Sequence, residues 1–322
     1  METIGVDLGG TKMLVGVVDS ERRIVYRSTA PSHGLRQDEL LETLERELRA
    51  ARAARPDVVA AGLGIPCTID RQRGVAILAV NLEIADLPIR DLMTERLGLP
   101  VLIDNDANVA ILAEHRFGAA RGARNAVMLT IGTGIGGGLI VDGRLYRGST
   151  GAGAELGHIV IDADGPRCQG NCPNRGCVEA LASGTAIARE GLAAAETAPD
   201  SALGRALAEG VQLDGKEVTD AALAGDATAR GVLEEIGKRL GVAFSSLANI
   251  FDPDVIVIGG GASRAGELLA GPAREELASR ALPPMSGTPV MTAELGPEAG
   301  MIGAATMATV EPEGQGAGWP DA

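Results

Sequence analysis

Between Gly151 and Glu179 the chain reads GAGAELGHIVIDADGPRCQGNCPNRGCVE, a segment that holds three of its four cysteines, one of its three histidines and two glutamates. Cys168, Cys172 and Cys177 are separated by Gly, Pro and Asn, residues that favour turns over helices or strands. With His158 they make a Cys3His set, one of the closed four-ligand combinations that tetrahedral Zn2+ takes in structural sites. A metal there would fix a loop that has too little apolar content to fix itself. A redox pair or three independent thiols are the alternatives, but a lone disulfide leaves an odd thiol and no role for the histidine.

Two glycine turns offer a second kind of chemistry. In Asp7-Leu8-Gly9-Gly10-Thr11-Lys12 and in Gly132-Thr133-Gly134, backbone N–H groups can approach an anion with no Cβ in the way. Asp7 could hold Mg2+ directly or through water. Neither turn is a P-loop, because G-x4-G-K-[ST] is missing, and a glycine turn is more often only a turn. A third group is Asp104-Asn105-Asp106-Ala107-Asn108, at a strand end and a helix start. Phosphoryl transfer to an alcohol needs a positioned carboxylate to take the hydroxyl proton. Asp106 is the candidate base and Asn105 a candidate hydroxyl partner, with helix capping as the ordinary reading of the triplet. Glu155 and Glu179 flank the cysteine loop, where each can accept two sugar hydroxyl bonds. His158 can serve twice, with one ring nitrogen on the metal and the other toward substrate. His33, His115 and Cys67 read as ordinary packing or surface residues.

The elements that must position these groups follow from pattern. Ile4–Ser28 and Val127–Ser149 share one grammar of strand, glycine turn, strand, Asp-led turn and strand. Superposed at a single offset, Gly9 meets Gly132 and Asp19 meets Asp142 (132 − 9 = 142 − 19 = 123). That predicts a duplicated α/β domain, each copy opening with a meander. Helices are predicted over Gln37–Ala54, from Asp106 through about Phe117, and over Val178–Ala195, Val218–Ile250 and Gly300–Val310. Buried strands are predicted over Val58–Ile65, Pro100–Ile103 and Pro253–Ile258. Strands alternating with helices imply mixed or parallel sheets with ligands beyond the carboxyl ends of strands, where the glycine turns, the DND triplet and Gly259-Gly260-Gly261 all fall.

Composition bounds the function class. The 322 residues are 45% hydrophobic and 22% charged, as in globular two-domain proteins, and the net charge of −14 disfavours nucleic acid. No signal peptide or membrane span is read. Cysteines at metal-like spacing fit a reducing compartment, so a cytoplasmic location is expected.

Taken together, these motifs resemble the ROK family of sugar kinases and sugar-responsive repressors, and within it the bacterial glucokinases. The resemblance rests on DLGGTK at Asp7, GLGIP at Gly62, DNDAN at Asp104, GTGIGGG at Gly132, GAELGH at Gly153, Gly176-Cys177-Val178-Glu179, and Asp252-Pro253 before IVIGGG. It implies an actin-like (ribonuclease H-like) duplicated two-domain kinase fold closing on sugar and ATP. The division expected is 1–115 with a returning helix at about 300–311, then 116–299, then a flexible tail at 312–322. It also implies Asp106 as base, Asn81, Asn105, Glu155, His158 and Glu179 as sugar ligands, zinc on His158 and the three cysteines, and Gly259, Gly260 and Gly261 lining the adenosine pocket. Two features depart from the family pattern. Cys168 and Cys172 are separated by three residues instead of one, and Cys67 stands where glycine is usual near the sugar.

The expected activity is therefore ATP-dependent phosphorylation of the glucose 6-hydroxyl, with a homodimer or homotetramer as the expected assembly. Mannose, fructose or N-acetylmannosamine as substrate, or polyphosphate as donor, remain open. A non-catalytic sensor is disfavoured by acidity and by a first strand that begins at residue 2 or 3, which leaves no winged helix ahead of it.

Overall fold

The structure is a computed structural model that describes residues 1–79 and 82–310. Asn81 and the tail 312–322 lie outside the described residues.

In chain order the strands are β1 (Glu2–Leu8), β2 (Lys12–Val18), β3 (Ile24–Pro31), β4 (Val58–Ile65), β5 (Cys67–Asp70), β6 (Val75–Ala79), β7 (Ala85–Leu87), β8 (Val101–Asn105), β9 (Ala126–Ile131), β10 (Ile135–Val141), β11 (Arg144–Leu145), β12 (Val255–Gly259) and β13 (Val290–Thr292). The helices are α1 (Gln37–Ala54), α2 (Ile89–Leu97), α3 (Asp106–Phe117), α4 (Val178–Ala182), α5 (Gly184–Thr197), α6 (Ala202–Ala208), α7 (Gly215–Leu223), α8 (Ala227–Phe251), α9 (Glu267–Arg280) and α10 (Ala299–Val310).

The chain divides into two compact units. The first comprises Met1–Arg116, Arg147–Gly153 and the chain from Glu298 onward; the second comprises Phe117–Tyr146 and Ala154–Pro297. The segment Arg147–Gly153 thus belongs with the first unit, although the division read from sequence put it in the second.

Each unit is built on a five-stranded sheet, β3-β2-β1-β4-β8 in the first and β11-β10-β9-β12-β13 in the second. In both, an antiparallel meander is followed by a strand that pairs parallel to its first member and by another that pairs parallel to that strand. This is the duplicated α/β arrangement predicted by the repeat at offset 123, and the actin-like fold that the resemblance implies. Parallel strands covered by helices carry apolar residues on both faces, and Ile4, Val6, Leu63 and Ile103 in the first sheet, like Val127, Leu129 and Ile256 in the second, are almost wholly buried.

The first unit is closed by its last helix. α10 is apolar all round and packs on β1 and β4, where a Cβ at Gly5 would stand 2.0 Å from Met301 O and one at Gly62 would stand 1.9 Å from Ala304 O. On its other side, a Cβ at Gly303 would meet Val109 O of α3. Helix and sheet therefore touch backbone to backbone, and glycine is the residue that permits it.

Several elements differ from the sequence reading. The helix expected over Val178–Ala195 is two, because Ser183 takes an extended conformation and its hydroxyl caps α5 by accepting from Ala186 N–H. The helix expected over Val218–Ile250 is likewise broken, by Gly225 at φ 101° and by Asp226, which caps α8. The small sheet β5-β6-β7 and helices α2, α6 and α9 were not foreseen. In the second meander the third strand keeps only Arg144 and Leu145.

Candidate active site and metal centre

In the first unit, β1, β4 and β8 run parallel, so their carboxyl ends lie together: Asp7 pairs with Gly64, and Gly64 with Asp104. Asn105 ends β8 and Asp106 opens α3. The Asn105 side chain accepts from Ala107 N–H at 2.9 Å and Asn108 N–H at 3.3 Å, so it is Asn105 that caps the helix. Asp106 Oδ1 accepts from Ala107 N–H at 2.9 Å. Burial pushes the Asp106 carboxyl above the usual carboxylate range, against the lowering effect of that N–H and of the Asn105 side chain. Cys67 is buried close enough for the two groups to interact; its own burial first, and the Asp106 charge second, push its thiol up to about 12. At that value Cys67 stays a neutral thiol and no nucleophile.

Asp7 is raised to about 7, first by burial and then by the charge on Asp106, with Lys12 acting the other way. The carboxylate is packed so closely on the first turn of α10 that a Cβ at Gly300 would lie 2.6 Å from its Oδ2. A carboxyl raised in the folded state contributes stability while protonated, and that contribution is lost as pH rises through about 7. Asp7→Asn is therefore expected to raise the melting temperature at about pH 8, by roughly 2–4 °C for each kcal/mol relieved, and to change it little at about pH 4. Thermal scans at the two pH values check this; equal shifts at both would assign the effect to packing.

The two glycine turns are braced in related ways. Gly9 N–H is bound to Lys12 O at 3.1 Å, and Gly132 N–H to Gly134 O at 2.9 Å. Neither leading glycine thus offers its N–H to a ligand, whereas Gly10, Thr11, Thr133 and Gly134 keep theirs free of internal partners among the described residues. Ser32, which the sequence reading passed over, holds the first turn by donating its hydroxyl to Gly9 O and its N–H to Thr11 O.

In the second unit, the triple glycine follows β12 and sits against the end of β9. A Cβ at Gly260, whose φ is 76°, would stand 2.5 Å from Ile131 O, next to Gly132. Two of the three glycine groups predicted for nucleotide thus meet beyond the carboxyl ends of the neighbouring strands β9 and β12.

The cysteine loop brings its four predicted ligands together. One donor atom each from His158, Cys168, Cys172 and Cys177 lies within 4.8 Å of the others. Cys172 Sγ is 3.9 Å from Cys177 Sγ, and Cys168 Sγ is 3.6 Å from His158 Nδ1. Zn–S bonds of about 2.3 Å in a tetrahedron require S···S edges of roughly 3.8 Å, so the donor set fits such an ion. None of the cysteines is in a disulfide. Burial raises both the Cys168 and Cys177 thiols; the Cys177 and Cys172 sulfurs raise Cys168 further, whereas for Cys177 its contact with Cys168 lowers and that with Cys172 raises. The longer Cys168–Cys172 spacing does not keep Cys168 from the group.

Glu179 is half-buried beside this loop. Its Oε2 accepts from Ile135 N–H at 2.8 Å and its Oε1 faces Cys168 Sγ at 3.6 Å. Much of the hydrogen-bonding capacity the sequence reading left for a sugar is thus engaged inside the second unit. Gln169, in the longer spacing, donates to Thr133 O at 3.3 Å and Ser183 Oγ at 3.0 Å, tying the loop to the second glycine turn. Glu155 is exposed, just before the short turn Leu156–His158. Asn105 and Asp106 belong to the first unit, and Glu155, His158 and Glu179 to the second. No helix among the described residues is long and apolar enough to cross a membrane.

Residues 3–311 match the model of the ROK family. The glucokinase of Thermotoga maritima is 38% identical over 312 residues, which cover 95% of this chain and 97% of that protein. The glucokinase of Streptomyces coelicolor is 36% identical over 314 residues, with coverage of 95% and 97%. Among solved structures, a ROK family glucokinase from Streptomyces griseus in complex with glucose and AMPPNP is 35% identical, with a TM-score of 0.86 over 96% of this chain and 99% of that one.

Proposed function

The chain belongs to the ROK family, and from that premise we propose that it is a glucokinase, an enzyme that transfers the γ-phosphoryl group of ATP to the 6-hydroxyl of glucose. The observation that carries this reading is likeness to glucokinases at 36–38% identity along nearly the whole chain. Asp106 is the general base. It stands at a strand end and helix start, and burial holds its carboxyl above the usual carboxylate range, which makes it a stronger proton acceptor. Asn105, Glu155, His158 and Glu179, with Asn81 outside the described residues, hold the sugar hydroxyls. His158 turns Nδ1 to the cysteines, which leaves Nε2 for substrate.

The free N–H groups of Gly10, Thr11, Thr133 and Gly134 receive phosphate oxygens, and Lys12 adds a positive charge. Gly259, Gly260 and Gly261 line the adenosine end. Asp7 is the residue suited to Mg2+, which when bound supplies neutralising charge on the transferring phosphoryl group. The metal of the cysteine loop is Zn2+, with a structural part. We place the enzyme in the cytoplasm, as a homodimer or homotetramer, with the two compact units as its N-terminal and C-terminal domains, the segment Arg147–Gly153 belonging to the first.

ADP release from ATP and Mg2+ with glucose, beside mannose, fructose, N-acetylmannosamine and a polyphosphate donor, tests the reading. Turnover with glucose in the ordinary kinase range of about 1–100 s⁻¹ is expected. Turnover with another sugar alone would refute glucose as the substrate, and none with any pair would refute the kinase.

A further inference from the structure

Arg147 starts the short segment Arg147–Gly153 that belongs to the first unit while the residues on either side of it in the chain belong to the second. Its Nε donates to Asp104 Oδ2 at 2.6 Å, and the two side chains are only 13% and 3% exposed. The other oxygen of Asp104 accepts from Asn105 N–H and from Asn108 Nδ2, both at 2.8 Å. Asp104 thus joins three pieces of chain: the end of β8, the first turn of α3 and the inserted segment. Asp106 lies between Asn105 and Asn108 in the turn that this network holds.

Stability is a poor reason to keep such a network. Taking a carboxylate and a guanidinium out of water costs several kcal/mol per ion, and a packed apolar pair of similar volume is often as good or better. The network is also short of one bond, since Asn108 Oδ1 is buried with no partner among the described residues. A half-satisfied polar group is a net cost. What the network does supply is direction. A guanidinium held on one side and two helix-start donors on the other leave Asp104 little freedom, and with it the turn between β8 and α3.

We propose that Arg147 is a positioning residue for the phosphoryl transfer, acting through Asp104 to hold the turn that carries Asp106. The proposal rests on the reading of Asp106 as general base. Misplacement of a reacting group by about 1 Å can cost on the order of 10²-fold in rate, so a distant tether is enough to matter.

The test is kinetic. Arg147→Met keeps the stem and removes the guanidinium. It is expected to lower kcat by about 10-fold or more, with glucose affinity, measured by titration calorimetry, unchanged within about threefold. Arg147→Lys, which restores a charge and a donor, is expected to recover part of the loss. Asp104→Asn should be slow for the same reason, and the double variant no slower than the slower single one. A folded Arg147→Met enzyme with wild-type kcat would overturn the inference, as would losses that multiply in the double variant. If Asp104→Asn does not fold, the Met and Lys pair decides alone: equal turnover in the two would count against the tether. Asp106→Asn keeps the two readings apart. Retained turnover there sinks the general base, whereas a dead Asp106→Asn beside a fully active Arg147→Met sinks only the tether.

Discussion

Asp106→Asn is expected to lower kcat by about 10²–10⁴-fold while glucose affinity stays within a few-fold of wild type. Asparagine keeps the shape of aspartate and can still accept from Ala107 N–H, the bond that Asp106 Oδ1 makes at 2.9 Å. What it loses is the ability to take a proton. The same substitution removes a carboxyl that burial holds above its usual range. The folded state then no longer bears a desolvated charge above that raised pKa, so stability at neutral to alkaline pH should rise, not fall. Lower rate with higher melting temperature is the signature of a charge kept for chemistry. ADP release, calorimetric titration with glucose and a thermal scan on one preparation read all three. A folded, glucose-binding Asp106→Asn that kept most of its turnover would remove Asp106 from the mechanism.

Loss of the loop metal should have the second large effect. Protein purified without added zinc is expected to carry about one metal ion per chain, and Cys177→Ala or chelation to carry none. Cys177, one of the four residues of the candidate metal site, is wholly buried, at the foot of α4. Its loop bonds through Gln169 to Thr133 O and through the Cys168–Glu179 contact to Ile135 N–H. Release should therefore raise KM for ATP as well as for glucose, each by about 10-fold or more. Hydrogen exchange over residues 158–177 should speed up in the same samples. Cys67→Ala, which removes the one cysteine outside the cluster, should keep its metal. Full activity with unchanged exchange in metal-free protein would refute a structural need for the ion.

The parts of the molecule most legible in the sequence were those with local periodicity or unusual composition. The hydrophobic spacing of α1, with Leu40, Leu44, Leu48 and Ala51 buried, gave its limits. The 123-residue offset between the meanders gave the duplication that the two sheets repeat. The Cys3His set stood out because three cysteines and a histidine are unusual among turn formers, and the four donor atoms do come together. Contacts between distant segments were not legible. Nothing about Arg147 in LYRGS points to Asp104, 43 residues upstream, because an arginine beside glycine is normally a surface residue. Ser32 was hidden in the same way. The break at Ser183 was readable, since serine before Gly-Thr-Ala-Ile is a helix cap, but the apolar spacing on either side outweighed it. Glu179 shows a different failure. Its neighbours announced a ligand, while the Ile135 N–H that engages it comes from a strand 44 residues away.

The closing of the first unit by α10 has a consequence for how the protein is made. Domains generally fold as units, in the order in which they leave the ribosome. Here the first 116 residues emerge early but lack the helix, Ala299–Val310, whose backbone lies against Gly5 and Gly62. The second unit, complete by Pro297, can finish before the first. A nascent chain therefore carries the bare surface of β1 and β4 through most of its synthesis. That interval is when the protein is most open to chaperones, and when a ribosome stalled near Pro297 would leave half of it folded and half exposed.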